Sequence, residues 1–173
     1  MQLVFSIIIG IISGVISSVI ATIIMSRYYK SKIPDIAISD EIARNTTNEY
    51  RIKIVNKSPF YVTDVVVQAR LVTVKNGMGG NIINIQNLDV PTTRIMMIDP
   101  YFSKNADNLY AIWVGISKKL DQLWADDSYT YLKVSVYCSN EWSIRKVFDK
   151  YYYKKHVCIK PGEFACGADM KII

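Results

Sequence analysis

The sequence predicts a mainly β protein, with one N-terminal transmembrane helix followed by an antiparallel, immunoglobulin-like β-sandwich. Residues 3–25 form an uncharged, largely aliphatic run, and beyond Pro34 the hydrophobic pattern alternates with a period of two. Turn sequences rich in glycine or proline separate the alternating segments. We therefore expect a transmembrane helix over 1–26, a basic juxtamembrane linker over 27–33 and a cytoplasmic β-sandwich domain over 34–173.

The uncharged run is long enough to span a bilayer as one helix. At about 1.5 Å per residue, residues 3–25 extend about 35 Å, slightly more than the hydrocarbon core of about 30 Å. A cleaved secretory signal is the main alternative, but such a signal needs a charged segment before its apolar run. The basic residues Arg27, Lys30 and Lys32 follow the run instead. By the positive-inside rule, we expect an uncleaved single-pass anchor in a bacterial inner membrane, with the N-terminus outside and the domain cytoplasmic.

Small and hydroxylated residues collect on one face of this predicted helix. At about 100° per residue, they fall within or just beyond a sector of about 100°. The set is Ser6, Gly10, Ser13, Gly14, Ser17, Ser18, Ala21 and Thr22. Helices in lipid associate through close backbone approach and interhelical hydrogen bonds, so this face predicts a homo-oligomer, with a tetramer as one candidate. The face would be either a sealed interface or, in a ring of three or more copies, the hydroxyl-lined wall of a pore.

Five segments beyond the linker predict strands, because β-branched and aromatic residues alternate with polar ones. They are YRIKIVN (50–56), DVVVQARLVTV (64–74), TTRIMMI (92–98), LYAIWVGI (109–116) and YTYLKVSVYC (129–138). The segment SKKLDQLWADD (117–127) predicts a single helical turn. NGMGG (76–80) predicts a hairpin turn, because it lacks the GK[ST] ending and the following helix of a phosphate-binding loop.

Cysteine and histidine usage limits the chemistry of the domain. Cys138, Cys158 and Cys166 are an odd number without a tight pairing pattern, as expected in a reducing cytoplasm. With His156 they offer a Cys₃His set, and in a strand His156 and Cys158 would share a face. The C-x₂₋₄-C spacing of structural zinc sites is missing, so we expect reduced cysteines, no metal and no cofactor.

No catalytic set emerges from the sequence. A single histidine limits histidine-based triads. The acidic residues occur singly or as the adjacent pair Asp126 and Asp127, which would point apart in a strand or turn. We therefore expect a protein that is not an enzyme and assign no catalytic residue.

The segment RKVFDKYYYKKH (145–156) combines cations with flat aromatic rings, as sites that hold phosphates and stack bases do. It lies in the basic third of a chain whose net charge is +6. It predicts a site for an anionic nucleotide or short oligonucleotide, formed by Arg145, Lys146, Lys150, Tyr151, Tyr153, Lys154 and Lys155. Two alternatives remain, an amphipathic edge strand with solvated lysines and a site for lipid headgroups.

Two resemblances bear on this interpretation. The tail from residue 131 to residue 164 resembles the end of the cytoplasmic β-sandwich of inward-rectifier potassium channels. Its counterparts are Val134, Val136, Ser143, Tyr153, Ile159, Gly162 and Phe164. This resemblance implies an immunoglobulin-like sandwich but not a potassium channel, because the sequence has no pore helix, filter motif or second span. The overall layout is similar to small membrane effectors of bacterial anti-phage systems that respond to nucleotide messengers or short oligonucleotides.

Together, these features predict an oligomeric single-pass membrane effector that forms a pore or disrupts the membrane. Its expected partners are further copies of itself, membrane lipid and an anionic nucleotide or oligonucleotide that sets its state. The second resemblance implies a role in anti-phage defence. The alternative is a non-enzymatic membrane-anchored adaptor or assembly protein, which would recruit a protein partner through an exposed strand edge.

Overall fold

The computed structural model describes residues 2–77, 80–101, 109–125, 127, 129–142 and 144–173. Asp126, Ser143 and the centre of the NGMGG turn lie outside these residues. The chain divides into two compact units, Met1–Ile33 and Pro34–Ile173.

The first unit contains one helix, α1, which spans Gln2–Ser31. By length and composition, α1 is apolar enough over Phe5–Ser31 to cross a membrane, with a mean hydropathy of 2.6. The helix continues into the segment 27–33, which the sequence analysis assigned to a linker, because no glycine or proline interrupts it there. It ends shortly before Pro34, since proline disfavours helical geometry in the residue that precedes it.

The second unit forms two five-stranded sheets among its described residues. Sheet A contains β1 (Ile36–Ile38), β2 (Ile42–Arg44), β3 (Tyr50–Asn56), β7 (Ala111–Ile116) and β10 (Ile159–Pro161). Sheet B contains β4 (Val62–Gly77), β5 (Gly80–Asn87), β6 (Arg94–Ile98), β8 (Thr130–Asn140) and β9 (Lys146–Tyr152). Two single-turn helices, α2 (Leu120–Leu123) and α3 (Lys155–Cys158), complete the unit. Of these, α2 lies in the segment predicted to hold a helical turn.

The strand order is β1-β3-β2-β10 in sheet A, where β7 also pairs with β3, and β5-β4-β8-β9 in sheet B, where β6 also pairs with β4. The described strand pairs are antiparallel, except that β10 lies parallel to β2. The chain between these two strands is long and includes all the strands of sheet B, as a parallel pair requires a crossover connection. The predicted fold class is confirmed, since the chain is mainly β, with one N-terminal apolar helix and antiparallel sheets.

Sequence alternation predicts β3, β4, β6, β7 and β8 but not every strand. The strands β1, β2 and β10 have three residues each, too few to show a period of two. The residues of β5 are all exposed, whereas alternation reports one buried face. An edge strand was one of the alternatives for 145–156, and β9 occupies the middle of that segment.

The core lies between the two sheets and fixes the direction of the side chains on β8. Ile52 of β3 packs in one cluster with Leu132, Val134 and Val136 of β8, and all four are fully buried. Burying such a side chain stabilises the fold by about 1.5–3 kcal/mol. Because successive strand residues point to opposite faces, the odd-numbered residues of β8 from 131 to 137 lie on the outer face of sheet B.

One charged residue is buried in sheet A. Lys53 of β3 is inaccessible to solvent, and its Nζ donates hydrogen bonds to the carbonyl oxygens of Ala165 at 2.5 Å and Asp169 at 2.7 Å. Burial lowers the pKa of this ammonium group. Lys53 therefore ties the C-terminal segment to β3, although the alternation of β3 predicted a solvated lysine.

Candidate ligand-binding surface

The residues predicted to bind an anionic ligand are divided between the two faces of β9. This strand pairs with β8, so that Leu132 lies opposite Tyr152 and Lys133 lies opposite Tyr151. Tyr152 is almost fully buried, whereas Tyr151 is 40% exposed on the outer face. The structure therefore does not bring the seven predicted residues together in one site.

The inward-facing lysines of β9 contact the first residues of the domain. Lys150 pairs with Asp40, and the Tyr152 hydroxyl donates a 2.7 Å hydrogen bond to the carbonyl of Ser39. Lys146 Nζ donates to the carbonyl of Pro34 at 3.3 Å. These contacts hold β9 against residues 34–40, so Lys150 is engaged within the domain.

Lys155 joins a cluster around Asp121. The Asp121 carboxylate lies 3.3 Å from Lys155 Nζ and 3.2 Å from Arg44 Nη1, and it accepts a hydrogen bond from the Tyr50 hydroxyl. Burial by itself would raise the pKa of Asp121, but the hydrogen bonds from Tyr50, Lys155 and Arg44 outweigh it and lower that pKa. Lys155 thus has a carboxylate partner already.

Three tyrosines form a cluster on the outer face of sheet B. The ring centroids of Tyr131 and Tyr153 are 5.5 Å apart, and those of Tyr131 and Tyr151 are 5.9 Å apart. The Tyr151 and Tyr153 rings are 6.4 Å apart and nearly parallel, with 17° between their planes. Tyr153 is 64% exposed. This tyrosine cluster (Tyr131, Tyr151, Tyr153) therefore offers open ring surface to a planar ligand.

Positive charge borders the tyrosine cluster. Lys133 Nζ lies 5.3 Å from the centroid of the Tyr151 ring and 2.8 Å from Asp149, whose hydrogen bond raises the pKa of this lysine. Arg70 of β4 lies opposite Lys133 in the sheet. Lys154 follows the cluster directly, and within the described part of the chain its exposed ammonium group has no partner. Sequence reasoning missed Tyr131, Lys133 and Arg70 because strand register, rather than sequence proximity, brings them here.

A second basic region lies at the opposite end of the same face. A groove of about 390 Å³ is lined by Arg94, Arg145 and Lys146 together with Asp64. Arg94 Nη2 lies 3.1 Å from Asp64 Oδ1. Six residues of β8 separate this end from the tyrosine cluster, a distance of about 20 Å. We call this region the basic groove (Asp64, Arg94, Arg145); the Lys146 ammonium faces the inner side of β9, where it contacts Pro34 and lies 4.5 Å from the centroid of the Phe148 ring.

The small-residue face of α1 has its hydroxyls turned toward the helix itself. Ser13 Oγ donates to the carbonyl of Gly10 at 3.0 Å, and Thr22 Oγ1 donates to the carbonyl of Ser18 at 2.8 Å. A Cβ placed on Gly10 or Gly14 would have no neighbour within 4 Å outside the helix. The other members of the face, Ser6, Ser17 and Ala21, are exposed as well. The face is thus open, and the hydroxyls of Ser13, Ser18 and Thr22 have hydrogen-bond acceptors within their own helix.

An exposed apolar edge, which the sequence analysis did not locate, runs along β5 and β6. Both strands pair with the same side of β4, Ile85 opposite Val72 and Ile95 opposite Val65. The exposed fractions reach 65% at Ile82 and 86% at Met96. We call it the β5–β6 edge, and its exposed side chains are Ile82, Ile83, Ile85, Met96 and Met97. The signal in the sequence is GNIINIQN, eight residues without a charge.

The expected strand geometry of His156 and Cys158 is wrong. Both lie in the helical turn α3, where residues two apart point in nearly opposite directions. Burial raises the pKa of the Cys138 thiol to about 11. Among the described residues, no three histidine, cysteine or acidic side chains are grouped so that they could hold a metal ion.

Comparisons with known proteins find distant structural matches for the chain. No family model matches it, and no curated protein matches it significantly. Among solved structures it is similar to one described as ApaA from Bordetella pertussis, at 10% identity and a TM-score of 0.36, covering 72% of this chain and 97% of that chain. It is also similar to murine CRIg, at 9% identity and a TM-score of 0.30, covering 75% of this chain and 98% of that chain. Both TM-scores are low, so the fold assignment rests on the strand pairing of this chain.

Proposed function

We propose that the chain is a non-enzymatic, single-pass membrane effector that assembles through α1 and binds an anionic nucleotide or short oligonucleotide at the tyrosine cluster. The tyrosine cluster is the observation that carries the proposal. Its three ring centroids lie within 6.4 Å of one another, Lys133 Nζ lies 5.3 Å from the Tyr151 centroid, and Lys154 follows Tyr153 in the chain. Stacking of a base on an aromatic side chain contributes about 1–3 kcal/mol, and lysine or arginine supplies the attraction for phosphate.

The geometry favours some of the predicted residues over others. Lys154, the residue after Tyr153, has no partner for its ammonium group among the described residues, so this charge is available to an anionic ligand. Lys133, Lys150 and Lys155 have carboxylate partners, so they contribute less to an incoming anion. Arg145 lies in the basic groove, about 20 Å away along β8, so a mononucleotide at the tyrosine cluster does not contact it.

Ligand binding would act on the assembly of α1 by population shift. A ligand changes an equilibrium between two assemblies only by its different affinity for them. In this proposal, the α1 helices associate through their small-residue face, and the ligand favours one of two arrangements of the domains around them. A pore or a disrupted bilayer follows in the arrangement that separates or rotates the helices, consistent with a role in anti-phage defence.

The substitution Tyr153→Ala tests the ligand site. Loss of one stacking contact should weaken binding by about 5-fold to 150-fold, which corresponds to about 1–3 kcal/mol. Tyr61→Ala is the control, because Tyr61 is also an exposed tyrosine, at 40% against 64% for Tyr153, but it lies before β4 and outside the cluster. The measurement is fluorescence anisotropy of a labelled hexanucleotide and of a labelled adenine nucleotide, titrated with the full chain in detergent. Equal affinities for the two variants, or no saturable binding by the unmodified chain, would contradict the proposed site.

A second function is favoured by a separate observation, the β5–β6 edge. An exposed, uncharged edge strand with apolar side chains is a template for pairing with a strand of another protein. Under this alternative the chain is a membrane-anchored adaptor or assembly protein, and the sandwich recruits a partner by strand addition. The two functions differ in the surface that they use, which makes them separable by substitution.

A further inference from the structure

The sequence of β5 is nearly symmetric about one residue, Asn84. Read outward from Asn84, the same residue type recurs at the same distance on both sides. The matching pairs are Ile83 with Ile85 and Asn81 with Asn87, and only the pair between them does not match. All residues of the strand are exposed, and none is charged. A second copy of the strand that runs antiparallel about Asn84 would therefore meet its own residue types.

The backbone of the matching residues points away from β4. The N–H group of Leu88, directly after β5, donates to the carbonyl of Ala69 in β4 at 2.9 Å. Because the direction of hydrogen bonding alternates along an antiparallel strand, the odd-numbered residues of 81–87 direct their N–H and C=O groups to the opposite edge. Among the described strands, β5 pairs with β4 alone. This edge thus presents the matching residues to an incoming strand.

The side chains at this edge continue an apolar row across the outer face of sheet B. Ile85 lies opposite Val72 of β4, and Val72 lies opposite Tyr131 of β8, so the three side chains share one face. Val72 is almost fully buried, whereas Ile85 is 56% exposed and Ile83 is 60% exposed. The row therefore ends in water at β5. A strand that adds isoleucine at this position would extend the row and cover both side chains.

We propose that β5 pairs with β5 of a second copy, antiparallel and centred on Asn84, so that two copies of sheet B join into one sheet. Ile83 then lies opposite Ile85 of the second copy, and Asn81 lies opposite Asn87 of the second copy. Each such pair exchanges both backbone hydrogen bonds, and the asparagine amides can donate to and accept from each other. The two-fold axis is perpendicular to the sheet, so the tyrosine clusters of both copies lie on the same side.

The symmetry of β5 favours a copy of this chain over an unrelated strand. An unrelated strand needs only free backbone groups and apolar side chains, which any edge of this composition offers. In a two-fold interface, each residue of a matching pair meets the other, so isoleucine meets isoleucine and asparagine meets asparagine. The absence of charge on β5 also avoids repulsion between the copies. This inference goes beyond assembly through α1, and it fills the edge that the adaptor alternative would use.

Cysteine substitution tests the proposed register. Asn84 faces Asn84 of the second copy as a non-hydrogen-bonded pair, with Cα atoms about 4.5 Å apart, a distance that a disulfide bridges. Ile82 faces Gln86 of the second copy, which leaves the two Ile82 residues about 14 Å apart, too far for a disulfide. Asn84→Cys should therefore form a disulfide-linked dimer about tenfold faster than Ile82→Cys, its control on the same face of the same strand.

The variants are made in a full chain that also carries Cys158→Ser and Cys166→Ser, because these two native thiols are not buried. The chain is purified in detergent and oxidised with copper phenanthroline, and the dimer is quantified on a non-reducing gel. A double variant supplies a gain of signal in the same register. Ile82→Cys combined with Gln86→Cys should form the dimer that Ile82→Cys alone does not form, since the two positions face each other across the axis.

Three outcomes would overturn the pairing. They are no dimer from Asn84→Cys, equal yields from Asn84→Cys and Ile82→Cys, and no gain in the double variant. Random collision, or association through α1 without a fixed register of β5, would give equal yields. Tyr153→Ala separates this inference from the proposed function. It should weaken binding of the labelled hexanucleotide and leave the Asn84→Cys dimer unchanged, so either proposal can fail while the other stands.

Discussion

Both α1 and β5 expose isoleucine to their surroundings, but their backbones differ. Ile12 of α1 is 52% exposed and Ile82 of β5 is 65% exposed, so the side chains alone do not separate the two elements. In α1, the helix satisfies its own backbone donors and acceptors. Among the described strands, β5 pairs with β4 alone, which leaves a row of backbone groups on its other edge.

This difference assigns different surroundings to the two elements. The hydrocarbon core offers no hydrogen bonds, so a helix can enter it and an open strand edge cannot. Exposed isoleucine is therefore compatible with lipid at α1, where even the hydroxyl of Ser18 donates to the carbonyl of Val15. At β5 the same residue type indicates a protein strand, which would supply both apolar contact and the missing backbone partners.

A charge in the middle of α1 should have the largest effect. Ile12→Lys places an ammonium group near the centre of the apolar segment, at a cost of about 2.5–3.5 kcal/mol. We expect the ratio of membrane-integrated to non-integrated chain to fall by about two orders of magnitude, as measured by alkaline extraction of membranes. Ile82→Lys makes the same change in β5 and should leave integration unaltered. Retention of Ile12→Lys at the level of the unmodified chain would show that α1 is not held by hydrocarbon.

A charge on the β5–β6 edge should act on partner binding without unfolding the domain. Ile83→Lys adds an edge lysine of the kind that natural sheets use against strand pairing. Because Ile83 is 60% exposed, the free energy of unfolding should change by less than about 0.5 kcal/mol. A photo-crosslinker placed at Gln86 measures partner binding in cells. We expect Ile83→Lys to lower the yield of crosslinked product about tenfold. The mass of that product shows whether the partner is a second copy of this chain or another protein.

The matched control is Val157→Lys, since Val157 is 50% exposed on α3, which follows β9 at the other end of sheet B from β5. An undiminished crosslinked product in Ile83→Lys would remove the edge as a docking surface. The adaptor alternative would then lose its supporting observation.

The parts of the fold that could be predicted are those that local sequence determines. Alternation located β3 with its observed bounds, Tyr50–Asn56, because Ile52 and Ile54 face the core. The same alternation predicted a solvated Lys53, which is buried because carbonyl groups more than a hundred positions later accept its hydrogen bonds. Sequence spacing contains no information about such a partner.

The candidate site could be predicted only in part, for the same reason. The aromatic and basic composition of 145–156 pointed to β9, but the period of a strand divides that segment between two faces. Asp40 and Asp121 occupy two of its lysines, and strand register adds Tyr131 from β8 to the cluster. Each of these changes depends on pairing between distant parts of the chain.

The smallest expected effect is on association of α1, and it tests whether the small-residue face brings helices together. Gly14→Leu fills a position where a Cβ meets no neighbour within 4 Å, so the helix of one chain is not disturbed. Contacts between helices in lipid contribute about 0.6–2 kcal/mol each, so the oligomer should dissociate about 3-fold to 30-fold more readily. Ile16→Leu on the opposite side is the control. Mass photometry of the full chain in detergent measures the oligomer populations. Equal populations in Gly14→Leu and Ile16→Leu would show that the small-residue face does not bring the helices together.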